Sequence, residues 1–333
     1  MLRLVPLFLG ASALLSAPAV ADDLWQDDFD VAAKLAKEQG KDLLVDFTGS
    51  DWCGWCIRLD NEVFSKDEFR TTAVQDFVLV KLDFPRTEEV KAKVPNPERN
   101  SELSEKYGIT SFPKILLMSA DGEVYAKTGY QAGGPVKYVE HLGEIRASGR
   151  AQLDATKEVV AAFEAAEGEA KVPAWERAVE ALRSLSADSP FAAKLADPVR
   201  WGLEHDPDNA KGMRLRAIGA LLASGQGNDE LAAEGRERDP KNEHGVLELA
   251  VSAQFQTVAD DADAKAAIAE LDKMNELGFK DSELAFNMNM TVAQWAAGPL
   301  EDKELAKKHA RIALDAGSDN ESAVEWLKTL LAE

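Results

Sequence analysis

The spacing of apolar residues changes character near the middle of the chain. In the first half, helical and strand patterns alternate. Phe29, Ala32, Ala33, Leu35 and Ala36 recur at helical spacing, and Gly40 follows them as a C-terminal cap, which predicts a helix over Phe29–Gln39. Asp42–Thr48, reading DLLVDFT, is a short apolar run of the buried-strand type. Phe77–Phe84 and Pro113–Ser119 predict two further strands, and Asp121-Gly122 marks a hairpin turn into a fourth over Glu123–Thr128. Helices are expected over Cys53–Phe64 and Lys137–Ala147. The order helix, strand, helix, strand, helix, strand, strand, helix predicts an α/β fold with a central mixed sheet flanked by helices. The charged stretch Phe84–Asn100, FPRTEEVKAKVPNPERN, is expected to be an exposed loop.

From about Gly149 the strand signals vanish, and about ten helices are expected to the end of the chain. Two junctions there are alike: Asp206-Pro207-Asp208-Asn209 and Asp239-Pro240-Lys241-Asn242, 33 residues apart. Proline stops one helix and asparagine supplies a turn before the next. Ala316–Asn320 does similar work later. Helix pairs repeating at a period near 34 resemble tetratricopeptide repeats, which stack into a concave protein-binding surface. The same junctions suit an ordinary helical domain equally well. The expected division is a leader over 1–21, an α/β domain over 22–148 and an all-helical domain over 149–333.

The leader follows from the order of residues at the start. Arg3 precedes an apolar run from Leu4 to Pro18, and Ala19-Val20-Ala21 offers small residues at a cleavage point. This reads as a secretory signal peptide cut after Ala21, too short to span a membrane comfortably. A periplasmic or secreted protein is expected, with no stable membrane insertion after cleavage. Composition adds little: 45% hydrophobic residues suffice for buried cores, and a formal charge of -21 repels phosphate backbones, so nucleic acid is not an expected partner.

Chemistry is concentrated in Asp51-Trp52-Cys53-Gly54-Trp55-Cys56, which follows a predicted strand and opens a predicted helix. There are only two cysteines. A zinc site needs about four ligands, and His141, His205, His244 and His309 are scattered singly. Haem attachment needs a histidine after the second cysteine, where Ile57 stands. A structural disulfide framework needs more cysteines, spread along the chain. Redox chemistry remains. Unpaired N–H groups at a helix start stabilise a thiolate, so Cys53 is expected to be the nucleophile and Cys56, one turn on, the resolving thiol of a redox disulfide. Trp52 and Trp55 offer an apolar landing surface for a partner, Trp55 the more exposed.

The α/β region, residues 24–147, resembles the thioredoxin superfamily, and in particular secreted thioredoxin-like proteins carrying a motif like Asp46–Cys56. Trp52 matches the tryptophan before the nucleophile. Asp46 matches the buried acid of the preceding strand, with one additional residue before the first cysteine. Lys81 matches the lysine paired with that acid, and Gly108–Pro113 matches the loop whose proline is cis. The resemblance implies that Asp46, held by Lys81, relays a proton to or from Cys56. It also implies that Pro113 faces Cys53 and presents the backbone of Ser111 and Phe112 to an extended substrate, beside Trp52, Gly54 and Trp55. From the residues alone, Asp46 and Lys81 read equally as a strand acid and a surface lysine, and Pro113 as a trans proline at a strand start. Trp55 departs from the proline of thioredoxins proper and is similar to the aromatic of periplasmic disulfide isomerases.

The expected function is thiol–disulfide exchange on cysteine-containing protein substrates, as reductase or isomerase rather than oxidase, with a redox partner protein and no metal or organic cofactor. The rival reading makes the helical region the main function, an interaction scaffold with an ancillary redox site. A peroxide-reducing enzyme fits poorly, since no threonine-proline motif surrounds Cys53.

Overall fold

A computed structural model describes residues 24–186 and 188–332. The expected signal peptide, residues 1–21, lies outside them. Packing divides the chain into two compact units, the first ending at Arg150 and the second beginning at Ala151.

The first unit opens with β1 (Trp25–Gln26) and α1 (Phe29–Gln39). Asp28 caps α1 by accepting from the Val31 N–H at 3.0 Å, and Gly40 closes it at φ 63°, a left-handed conformation that glycine adopts without a Cβ penalty. There follow β2 (Asp42–Thr48), α2 (Gly54–Leu59), a π-helical turn (Asp60–Phe64), α3 (Asp67–Asp76) and β3 (Phe77–Asp83). After these come α4 (Glu88–Lys91), α5 (Pro97–Lys106), β4 (Lys114–Met118), β5 (Val124–Thr128) and α6 (Gly134–Ala165). The five strands lie in the order β1-β3-β2-β4-β5. β1, β3 and β2 run parallel, while β4 is antiparallel to β2 and β5 to β4. This is the mixed sheet expected from the hydrophobic pattern.

Every residue of β2 is buried, because the sheet is covered on both faces. One face packs Val45, Phe47, Val80, Leu82 and Leu116 against Phe29 and Ala32 of α1. An aromatic cluster also forms: Phe64 lies 4.9 Å from Trp25, 4.8 Å from Phe69 and 5.8 Å from Tyr138. Phe69 comes from α3, an element whose apolar residues are too sparse to have been placed by periodicity.

Two expectations need correction, and one element was not expected. The stretch Phe84–Asn100 is not wholly loop: it holds α4 and the first turn of α5, where Pro97 occupies the start of a helix and its missing N–H costs nothing. The short edge strand β1 has no signature of its own. Finally, the closing helix, expected over Lys137–Ala147, runs from Gly134 to Ala165. Gly149 does not end the helix. A Cβ there would sit 2.4 Å from the Tyr125 carbonyl oxygen, so this glycine lets the helix approach β5 closely.

In the second unit, nine helices follow α6 among the described residues: α7 (Lys171–Arg183), α8 (Ala192–His205), α9 (Met213–Ala223), α10 (Asp229–Arg238), α11 (Val246–Phe255), α12 (Asp261–Leu277), α13 (Ser282–Ala297), α14 (Lys303–Ala316) and α15 (Glu321–Ala332). The two Asp-Pro junctions are built alike. The Asp206 carboxylate accepts from the N–H of Met213 at 2.9 Å, and Asp239 accepts from Val246 at 2.9 Å. Asn209 and Asn242 take φ 58° and 53°, and their side-chain oxygens accept from the N–H of Leu215 and Glu248. Gly212 and Gly245 both stand at φ 73°. Two copies of one turn thus launch α9 and α11, which fits the tetratricopeptide-like description of this region.

The side chain of Asp42, buried at the start of β2, receives the Tyr125 hydroxyl at 2.9 Å and Arg146 Nε at 2.9 Å, with Arg150 at 2.8 Å. These contacts tie β2 to β5 and to the first half of α6. Asp42→Ala leaves the buried Tyr125 hydroxyl without its acceptor, while the half-exposed Arg146 keeps Asp76, and is expected to destabilise the first unit by about 1–3 kcal/mol. A fall in the urea midpoint of its unfolding is the check.

Candidate active site

The loop between β2 and α2 carries the two cysteines. Cys53 is the N-cap of α2, and Cys56 lies in its first turn. Their sulfurs form a disulfide with the Cα atoms 5.2 Å apart, and no free cysteine remains among the described residues. Cys53 Sγ accepts from the Cys56 N–H at 3.2 Å. The nucleophile candidate is therefore placed where unpaired helix N–H groups gather. Both cysteines are nearly covered in the oxidised form, at 6% and 4% exposure.

The loop is clamped from β3 and the segment after it. Ser50 donates its N–H and hydroxyl to the Asp83 carboxylate at 2.9 and 2.5 Å. The Asp51 carboxylate accepts from the N–H of Arg86 and from that of Thr87 at 2.7 Å; these bonds, Arg86 first, hold it down at about 2, below the usual carboxylate range. Trp52 Nε1 donates to the Phe84 carbonyl at 2.8 Å, and the Arg86 guanidinium stacks 3.9 Å above the indole. The indole also covers Gly49, where a Cβ would meet it at 2.5 Å. Glycine is thus required directly after the strand ends, a need that only the folded loop reveals.

Opposite Trp52 lies the loop before β4. The Phe112–Pro113 peptide bond is cis, and Phe112 meets Trp52 edge-on at 5.8 Å. Ser111 is exposed, and Phe112 and Pro113 are half-buried. Trp55, which stands between the two cysteines in sequence, is 55% exposed. Its ring lies 5.1 Å from Tyr130, and the Arg58 guanidinium stands over both rings. Glu62 holds this cluster by accepting from Arg58 at 2.8 Å and from the Tyr130 hydroxyl at 2.6 Å. A Cβ on Gly54 would meet nothing within 4 Å, so the surface between the tryptophans is open. Arg58, Glu62, Arg86 and Tyr130 escaped the sequence reading, because surface charges and a lone tyrosine carry no periodic signal.

Asp46 and Lys81 are register partners across β2 and β3, yet the pairing implied by resemblance does not form. The Lys81 ammonium bonds to Asp60 Oδ1 at 3.0 Å and stands over the Trp25 ring at 5.5 Å. Asp46, only 3% exposed, keeps Oδ1 buried without a hydrogen-bond partner. Asp60 stands at the end of α2 and the start of the π-helical turn, in which the Ser65 N–H reaches the Asp60 carbonyl at 2.9 Å. Burial pushes the Asp46 carboxyl up to about 7; Lys81 pulls it down, and Asp60 and Asp83 push it up.

Linkage fixes what this does to stability. Between pH 3.8 and about 7 the unfolded chain has lost the Asp46 proton and the folded chain has not. Stability from this group therefore falls as pH rises through that window, by a total on the order of 4 kcal/mol. Asp46→Asn is expected to match the wild type near pH 4 and to exceed it in stability near pH 8. Urea titrations at the two pH values decide, and an equal effect at both would refute the assignment.

The Thioredoxin-like domain family matches residues 29–139. The chain is 32% identical over 135 residues to "Disulfide bond reductase DsbH" of Chlamydia pneumoniae, a match covering 40% of this chain and 79% of that protein. It is 31% identical over 107 residues to "Thioredoxin-related protein DsbJ" of the same organism, covering 31% of this chain and 29% of that one. Among solved structures, "DsbH Oxidoreductase" aligns with a TM-score of 0.33 at 28% identity, over 41% of this chain and 94% of that one. Taken with a Cys-x-x-Cys disulfide at a helix start, the family match and the two relatives support a thiol–disulfide role. The chain belongs to the thioredoxin-like family.

Proposed function

We propose that this protein is an exported thiol–disulfide oxidoreductase that reduces or isomerises protein disulfides. The observation that carries the reading is the Cys53–Cys56 disulfide at the N-terminus of α2, next to Trp52, whose ring meets Phe112 of the loop before β4. Once reduced, Cys53 is the thiolate, stabilised by the helix start. It attacks a substrate cystine, forming a mixed disulfide and releasing one substrate thiolate. Cys56 then gives its proton to the Asp46 carboxylate and attacks Cys53 Sγ. The intramolecular S–S bond forms, the bond to substrate breaks, and the departing thiolate takes a proton from water. The substrate gains two electrons and the dithiol loses two. A carboxyl titrating near 7 is matched to this transfer at neutral pH.

The open surface of Gly54, Trp55, Ser111 and Phe112 receives the extended substrate, with backbone pairing beside Pro113 and indole packing from Trp52 and Trp55. A second redox protein returns electrons to the oxidised dithiol, since an extracytoplasmic compartment oxidises free thiols. The helical unit recruits or positions a partner. Export rests on residues 1–21; among the described residues no helix is long and apolar enough to cross a membrane. The direction of electron flow is supported by the relative named a disulfide bond reductase.

The reduced protein is expected to turn over insulin disulfides, and Cys53→Ser to abolish turnover. Cys56→Ala is expected to accumulate mixed disulfides through Cys53, whose partners, identified by mass spectrometry, are the substrates. A reduction potential near roughly -270 mV fits a reductase, whereas one near roughly -120 mV would overturn the direction.

A further inference from the structure

Lys81 faces a choice between two carboxylates. Asp46 is its register partner on the neighbouring strand, and Asp60 stands at the start of the π-helical turn. The ammonium is bonded to Asp60, and Asp46 Oδ1 is left buried without a hydrogen bond. The two acids differ in access to water: Asp46 is 3% exposed, whereas the Asp60 side chain is 46% exposed. Asp60 lies four residues beyond Cys56, so the helix that carries the dithiol also carries the competitor for the lysine.

We propose that Asp60 is a positioning residue of the dithiol site, holding the Lys81 ammonium on its own carboxylate so that Asp46 stays without a bonded counter-ion and remains free to take the Cys56 proton. The inference rests on the oxidoreductase reading for its consequence in turnover, but not for the geometry. Lys81 is steadied in this place from a second side. Its ammonium stands over the Trp25 ring, and it lines a cavity of about 280 Å³ with Asp27, Asp83 and Lys93. The groups that act on Asp46 come from three elements: Lys81 and Asp83 from β3, Asp60 from the π-helical turn, and the Tyr138 hydroxyl from α6. On the β4 side its register partner is the apolar Ile115. Of these, Lys81 is the one positive charge, so where its ammonium sits decides how readily Asp46 ionises. When Asp60 loses its charge, the ammonium is free to turn to Asp46, which then holds its negative charge more tightly and becomes a weaker base.

The test is a ¹³C NMR titration of the Asp46 carboxyl in the oxidised full-length protein, a readout that needs no substrate. Asp60→Asn is expected to lower the Asp46 midpoint by about one pH unit or more. Asp60→Ser should repeat the shift, and Asp60→Glu should return the midpoint toward the wild-type value. Lys81→Met should raise it. The deciding variant is the double one. In the Lys81→Met background, Asp60→Asn should move Asp46 much less, because the lysine it releases is gone. An equal shift in both backgrounds would mean that Asp60 acts only through its own field, and no shift in either would mean that it does not act; each overturns the proposal. The acid limb of insulin reduction should follow the same midpoints. A wild-type protein that reduces no disulfide would instead remove the oxidoreductase reading, while the titration still decides the role of Asp60.

Discussion

Burying a charged group costs several kcal/mol unless something in the fold compensates it, and β2 buries two. The strand runs through the middle of the sheet with every residue covered, yet it carries Asp42 at one end and Asp46 near the other. The two ends meet that cost in opposite ways. Asp42 is compensated by Tyr125, Arg146 and Arg150, which fasten β5 and α6 to the centre of the sheet. Asp46 is left without a hydrogen bond at Oδ1, and its carboxyl rises to about 7. The first arrangement makes a rigid support, and the second keeps a proton exchangeable at the pH where thiols react.

The dithiol loop depends on that support. Ser50, Asp51 and Trp52 are each tied to β3 or to the segment just after it, so the cysteines are presented by a loop with almost no slack. Rigidity at this point serves chemistry, because an attacking sulfur must meet a target sulfur along one line. The surface outside the cysteines is aromatic. Trp55, Tyr130 and Arg58 stack on one another and Phe112 meets Trp52, an apolar surface on which the proposed extended substrate would pack.

The second unit follows a different logic. It has no sheet to organise it, and it repeats a local solution instead. At Asp206 and Asp239 the same carboxylate, asparagine and glycine geometry turns the chain and starts the next helix. Such a turn is built from contacts within about ten residues, so it can be copied along a chain without reference to the rest of the fold.

By itself the sequence determined what short-range forces decide. The bounds of α1 and β2, the hairpin before β5, the Cys-x-x-Cys at a helix start and the paired Asp-Pro junctions were all legible, because spacing, caps and turn residues act over a few positions. What escaped it depends on residues far apart. The continuation of α6 past Ala147 includes a close approach of Gly149 to Tyr125, and α3 is held by an aromatic cluster rather than by an apolar stripe of its own. The partner of Lys81 is the sharpest case. Strand register alone points the lysine at Asp46. Only the folded chain brings Asp60 within 3.0 Å of it, and a more exposed carboxylate keeps its charge at less cost than a buried one.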